Sequence, residues 1–251
     1  MRLNGLTAGV LLAGTMAGSA SAALSTGDIA FTGFLADGDD GFSIVALTDI
    51  AAGEEIFFRD EEWDGSAFGT GEGEFLWTTP VVSAGTVVTF TTDAGGTPTT
   101  SAGTISADAA FAPGDMGISA SGETIFAFQG TSNTPTTFLA AISSDAAGIQ
   151  DSIAGTGLVV GSTAIELVGG SITDGPDGGQ YTGSRDNQTA FADYLSQIND
   201  PSNWTIVQGG SGDQSGDVLP FDTTDFVIPE PGTLVLLGLG GLALASRRRL
   251  V

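Results

Sequence analysis

Asp28-Ile-Ala-Phe-Thr-Gly-Phe34, Gly41-Phe-Ser-Ile-Val-Ala-Leu47 and Glu55-Ile-Phe-Phe58 decide the fold class. Aromatic and β-branched residues recur in short runs, the first of them alternating. Clusters such as Asp37-Gly-Asp-Asp-Gly41 and Ala51-Ala-Gly53 punctuate them. Runs of this kind are strands, because branched and aromatic side chains pack well on a pleated surface while Gly and Asp turn the chain between them. The rhythm continues outward. Phe75-Leu-Trp77 and Thr86-Val-Val-Thr-Phe90 flank Pro80 and Ser83-Ala-Gly85 and read as a strand–loop–strand pair. Thr124 to Phe128, Thr137 to Ile142 and Ala164 to Val168 supply further strands, and Thr91 to Thr104, rich in Gly, Thr and Ser, reads as a long loop or edge.

Strands at this spacing, without helices between them, predict a mainly β protein built as an immunoglobulin-like or jelly-roll-like sandwich, and argue against a βαβ architecture. One helix interrupts the pattern. Between Asn187 and Ile198, the residues Phe191, Tyr194, Leu195 and Ile198 form a single apolar stripe, closed by Asn199-Asp-Pro201. It is expected to pack over one end of the sandwich, with Trp204 and Ile206 returning as a strand or docking segment.

The two ends are addresses. Arg2, the apolar stretch Leu6 to Met16 and the small residues Ala20-Ser-Ala22 have the order of a secretory signal peptide over 1–22, with cleavage after Ala22 or Ala23. At the other end, Pro229-Glu230-Pro231 holds the chain extended, Thr233 to Ala245 carries no charge, and Arg247, Arg248 and Arg249 follow. From Pro231 to Ser246 there are sixteen residues, short of the ~20 that a bilayer core asks of a helix. A C-terminal hydrophobic helix is expected, a marginal span whose arginines stay cytoplasmic. The expected division is therefore a signal peptide at 1–22, a β-sandwich at 24–208, a flexible Gly/Ser/Asp-rich spacer at 209–228 and the tail at 229–251.

Of 30 acidic residues only Glu230 lies in the two ends, whereas four of the six basic ones do. The body keeps Arg59 and Arg185 as its only bases, with no lysine and no histidine anywhere in the chain. Nucleic acid is excluded as a partner, since phosphate recognition needs Arg and Lys. Dense negative charge favours solubility and attracts cations. The absence of cysteine means an exported body of this size must rest on its hydrophobic core.

The ordered triplet, Gly/Leu/Ala span and arginine cluster resemble the PEP-CTERM sorting signal. That resemblance implies recognition of the tail by exosortase, a membrane-embedded transpeptidase-like enzyme of exopolysaccharide-producing Gram-negative bacteria. It implies removal or exchange of the tail on delivery to the outer surface or biofilm matrix. In the body, Gly27-Asp-Ile-Ala-Phe31, Asp37 to Phe42, Ala52 to Phe58, Trp63, Gly71-Glu-Gly73, Trp77 and Asn199 to Trp204 resemble secreted lamin-tail-like, immunoglobulin-like β-sandwich modules. This second resemblance implies an interaction module with no inherited catalytic residues.

Without His or Cys, serine or cysteine triads and zinc sites with histidine or thiolate ligands are absent. What remains is carboxylate chemistry. Asp60, Glu61, Glu62 and Asp64 surround Trp63, the kind of acidic pair and aromatic platform that a glycan hydrolase needs. The plainer reading is a solvated acidic loop with Trp63 tucked into the core. Asp37, Asp39 and Asp40, and Asp174 with Asp177, form oxygen-rich loops of calcium type, without the EF-hand register. Asp and Gly equally dominate ordinary turns, the reading preferred for Asp37 to Gly41. No other cofactor is expected. The sequence thus predicts a non-enzymatic structural or adhesive protein of the cell surface or extracellular matrix, associated with exopolysaccharide and held transiently at the membrane. The alternatives are a calcium-dependent carbohydrate-binding module and a secreted glycan hydrolase.

Overall fold

The computed structural model describes residues 23–92, 97–107, 117–119, 122–145, 153–167, 175–208 and 215–230. The signal peptide, the apolar span from Leu234, Asp174 and residues 209–214 of the expected spacer lie outside them. Among the described residues no helix is long and apolar enough to cross a membrane.

Twelve strands form two six-stranded sheets among the described residues. The first runs β12 (Trp204–Gln208), β11 (Pro176–Tyr181), β1 (Ile29–Leu35), β2 (Gly41–Ala46), β5 (Val87–Thr92) and β6 (Pro98–Thr100). The second runs β10 (Ala164–Glu166), β9 (Thr134–Ser143), β8 (Thr124–Thr131), β3 (Glu55–Arg59), β4 (Glu74–Thr78) and β7 (Thr104–Ala107). Every strand pair is antiparallel except β9 with β10. Aromatic rings bind the sheets face to face. Phe42 of β2 lies 4.7 Å from Phe58 of β3, and Phe90 of β5 lies 4.9 Å from Phe58 and 5.3 Å from Trp77 of β4. Trp77 is fully buried, and its indole N–H donates to Ala102 O at 2.8 Å.

The alternation expected along β1 is interrupted at Thr32. A bulge between Phe31 and Gly33 adds one residue against β2, which changes the phase of the strand. Phe31 and Phe34, three apart, therefore both enter the central core, while Leu35 points into a separate cluster. Both faces of β1 are covered, and all seven residues are buried.

Phe75 to Trp77 and Thr86 to Phe90 do not form the expected pair. They fall in opposite sheets, because residues 79–86 carry the chain across the sandwich edge through the Ile50–Val82 bridge. The loop or edge expected at Thr91 to Thr104 is edge: β6 closes one sheet and β7 the other. The expected helix is shorter than its stripe. A 3-10 turn at Phe191–Tyr194 runs into α1 (Leu195–Ile198), which buries Tyr194 and Ile198, and β12 follows as the returning strand. Asp177, read as part of an oxygen-rich loop, is buried within β11.

The largest correction concerns the spacer. Residues 215–228 are part of the folded body. Around α2 (Ser215–Val218), Val218 and Phe221 pack on Leu35 over the outer face of the first sheet. Gly33 is required there, since a Cβ would strike the Phe221 ring and the Ser43 hydroxyl. Further on, Phe226 is 2% exposed, stacked on Tyr181 at 5.6 Å and edge-on to Tyr194 at 4.9 Å. Phe226 N–H donates to Gly85 O at 2.8 Å, and Val227 N–H to Arg185 O at 2.7 Å. Arg185 donates to Thr224 O at 2.6 Å, pairs with Asp222 at 3.3 Å and lies over the Phe226 ring. Glycine and aspartate content suggested a linker, but three apolar anchors in this stretch bury enough surface to hold it down. Phe226→Ala is expected to lower unfolding stability by about 3–5 kcal/mol. Val227→Ala, at an exposed side chain, should stay within about 0.5 kcal/mol. Urea unfolding followed by tryptophan fluorescence measures both; equal effects would contradict the docking.

Candidate functional site

β3 ends at Arg59, β4 begins at Glu74, and β8 begins at Thr124, all at one end of the second sheet. Arg59 and Glu74 are direct cross-strand partners on its outer face. The Arg59 guanidinium, fully buried, donates to Glu74 Oε2 at 3.0 Å and to Gly69 O at 3.0 Å, and stands 3.7 Å from Glu61. It also lies 5.0 Å over the Phe68 ring. This one base thereby folds residues 60–73 back over the sheet.

The excursion covers a second apolar core. Trp63 and Phe68 pack on Phe126, Phe128 and Phe138, with Phe57 and Leu158 alongside. Trp63 is 7% exposed, its indole N–H donating to Ala154 O at 3.1 Å. It is closed off from solvent rather than presented as a platform for a sugar ring. Of its acidic neighbours, Asp64 is exposed and spent on turn formation: Oδ1 accepts from Ala67 N–H, Ser66 hydroxyl and Ser66 N–H, which lowers its pKa.

Asp60, Glu61 and Glu62 follow β3 in the chain, and the adjacent Glu61 and Glu62 converge. Glu61 is buried and accepts Glu72 N–H at 2.9 Å. Carboxylate oxygens of Glu61, Glu62 and Glu72 all lie within 4.8 Å of one another. Asp60 is 5% exposed, and its Oδ1 is buried without a hydrogen-bond partner; buried Glu72 Oε2 and Glu74 Oε1 are likewise without one. Burial, then the charges of Glu123 and Glu72, push the Asp60 carboxyl up to about 8. Burial, then Glu72 and Glu62, push Glu123 up to about 8 as well. Glu72 is raised by burial and by Glu62 and Glu61, against the nearby Arg59. Two sequence-distant groups, Glu72 and Glu123, complete this cluster. Only the convergence of three strand ends brings them to it.

Asp37, Asp39 and Asp40 occupy the β1–β2 connection. Asp39 N–H donates to Ser215 Oγ at 2.7 Å, Ser215 Oγ donates to Asp37 O at 3.2 Å, and Asp40 Oδ2 accepts Ile118 N–H at 3.0 Å. The turn thus anchors two distant segments. Ala23 is exposed; Ala20 and Ala22 lie outside the described residues.

The body holds the chain as far as Val227, whose carbonyl accepts the Tyr194 hydroxyl at 2.9 Å, and Ile228, which packs on the central core. Pro229 and Glu230 are exposed, and Pro231 and Arg247 to Arg249 lie outside the described residues. Residues 227–249 match the family model of the PEP-CTERM protein-sorting motif. No curated protein and no solved structure matches the chain. The motif is the recognition signal of exosortase, a membrane sorting enzyme, so the chain carries the C-terminal signal of an exported protein sorted at the membrane.

Proposed function

We propose that this chain is a structural or adhesive component of the cell surface or of an exopolysaccharide-rich extracellular matrix, delivered there through its tail. The observation that carries the reading is the matched motif, opening at the last anchored residues of a folded body. Pro229 and Glu230 project from that body, where an enzyme in the membrane can grip them. In this reading, the signal peptide at 1–22 directs export, and the apolar span then holds the chain in the inner membrane. Exosortase removes or exchanges the tail. The two-sheet body suits a non-catalytic, immunoglobulin-like or lamin-tail-like interaction module. Its burial of Trp63 takes away the aromatic platform that a glycan hydrolase at Asp60 to Asp64 would use.

The test is expression in an exosortase-bearing host, with fractionation and mass spectrometry of the C-terminus. The native chain should reach the surface fraction without its arginines. A variant with Pro229, Glu230 and Pro231 all replaced by Ala should stay at full length in the inner membrane. A native chain that retains Arg247 to Arg249 in the membrane fraction would reduce the tail to a plain anchor.

A further inference from the structure

We propose that Glu61, Glu62 and Glu72 form a binding site for calcium at the three-strand end of the second sheet. This goes beyond the sorting reading and does not depend on it.

Proximity is the first support. Three carboxylates whose oxygens approach within 4.8 Å of one another can take up positions around a single calcium ion, whose ligands stand about 2.3–2.6 Å from it. Two further carboxylates act electrostatically on the same group. The base beside them, Arg59, is engaged by Glu74 and by Gly69 O, and approaches Glu61 no nearer than 3.7 Å. A cluster this crowded needs a positive partner that Arg59 does not fully supply.

The second support is independent of the crowding. Asp60 is more than nine-tenths buried, yet its Oδ1 accepts no hydrogen bond, and neither does Glu72 Oε2. Buried carboxylate oxygens are ordinarily satisfied, and an orphaned one calls for an ion, a water or a proton. Asp60 precedes Glu61 in the chain and its backbone N–H donates to Gly73 O at 3.3 Å, next to Glu72, while the unpartnered Glu72 Oε2 belongs to one of the three converging carboxylates. An all-oxygen, acid-rich donor set suits a hard cation. The mixture of buried and exposed carboxylates, Glu62 being exposed, lets coordination number and geometry adapt, which calcium tolerates and magnesium resists. The site also differs from the Asp37–Gly41 turn, where Asp40 is engaged by Ile118 N–H.

The test uses the full chain, kept soluble in mild non-ionic detergent, with calcium chloride as the probe in isothermal calorimetry and thermal unfolding at constant ionic strength. One calcium should bind with Kd of about 0.1–1 mM, the range of extracellular modules. About 10 mM calcium should then raise Tm by roughly 3–10 °C. Glu62→Gln and Glu72→Gln, at positions that are not fully buried, should each weaken binding at least about tenfold. Both should fold normally, and should be no less stable than the native chain in chelator because each removes a repelling charge. Asp39→Asn should leave binding unchanged. The assignment is overturned if the native chain takes up no calcium, or if magnesium chloride gives an equal rise. It is equally overturned if the response survives Glu62→Gln with Glu72→Gln, or disappears in Asp39→Asn.

Discussion

Arg59→Met is expected to lower unfolding stability by about 3–5 kcal/mol, the cost of breaking a buried ion pair from one side. Methionine replaces the aliphatic stem and still packs against Phe68, so most of the loss is electrostatic. Glu74, whose side chain is fully buried, would keep only Asn133 N–H at 3.2 Å as a donor. Gly69 O would lose its donor, and Glu61 the nearest positive charge. The excursion over residues 60–73 should loosen with it, exposing Trp63 and shifting its fluorescence to the red. Urea unfolding measures the loss. Adding Glu74→Gln to Arg59→Met should recover part of it, because the second change removes the stranded charge. A double variant no more stable than Arg59→Met alone would show that the guanidinium acts through packing instead.

In chelator, stability should fall as pH rises from about 5 to about 8.5. In the unfolded chain, Asp60 and Glu123 titrate near about 4, whereas in the folded body burial and neighbouring carboxylates hold both protonated until about 8. Between those values the folded state binds more protons than the unfolded one. The stabilisation is therefore complete at low pH and is lost on the way up, at about 1.4 kcal/mol per pH unit for each independent group. The charges that act on this pair are those of Glu72, Glu62 and Asp145, all carboxylates, and each opposes ionisation of the pair. Urea midpoints at the two pH values read the effect, and Asp60→Asn should flatten it by removing one titrating group without adding charge. A midpoint in chelator that is equal or higher at pH 8.5 would contradict the prediction.

Much of the sandwich was legible along the chain. Ile56, Phe58, Trp77 and Phe90 announce inward faces because a buried strand position needs a large apolar side chain, and the sequence shows it directly. Which strands pair was not legible. β4 and β5 are neighbours in the chain but lie in different sheets, since pairing depends on where residues 79–86 cross the edge. Nor was the phase change at Thr32, a bulge with no mark beyond the Gly beside it. The excursion at 60–73 was read as acidic and turn-rich, with Trp63 in the core. Trp63 is indeed buried, but in a second core on the outside of the sheet. For the stretch 215–228, composition pointed the wrong way. Its glycine, serine and aspartate resemble a linker, and although Val218, Phe221 and Phe226 fall at i, i+3 and i+8, Pro220 between them forbids a continuous helix, so the spacing does not betray their burial.

By itself, the sequence determined the class of the body and the address on its tail. Both are carried by local order: apolar runs between turns in one case, a triplet, span and basic cluster in the other. Only the tertiary structure decided what the two body arginines do and where the carboxylates meet. Arg59 and Arg185 are scarce positive charges in an acidic chain, and each is placed where a returning segment must be held against a sheet. Glu72 and Glu123 lie far apart in sequence and come together because β3, β4 and β8 share one end of a sheet. Long-range convergence of that kind leaves no periodic or compositional trace, since it is fixed by strand order and register rather than by any residue's own preference.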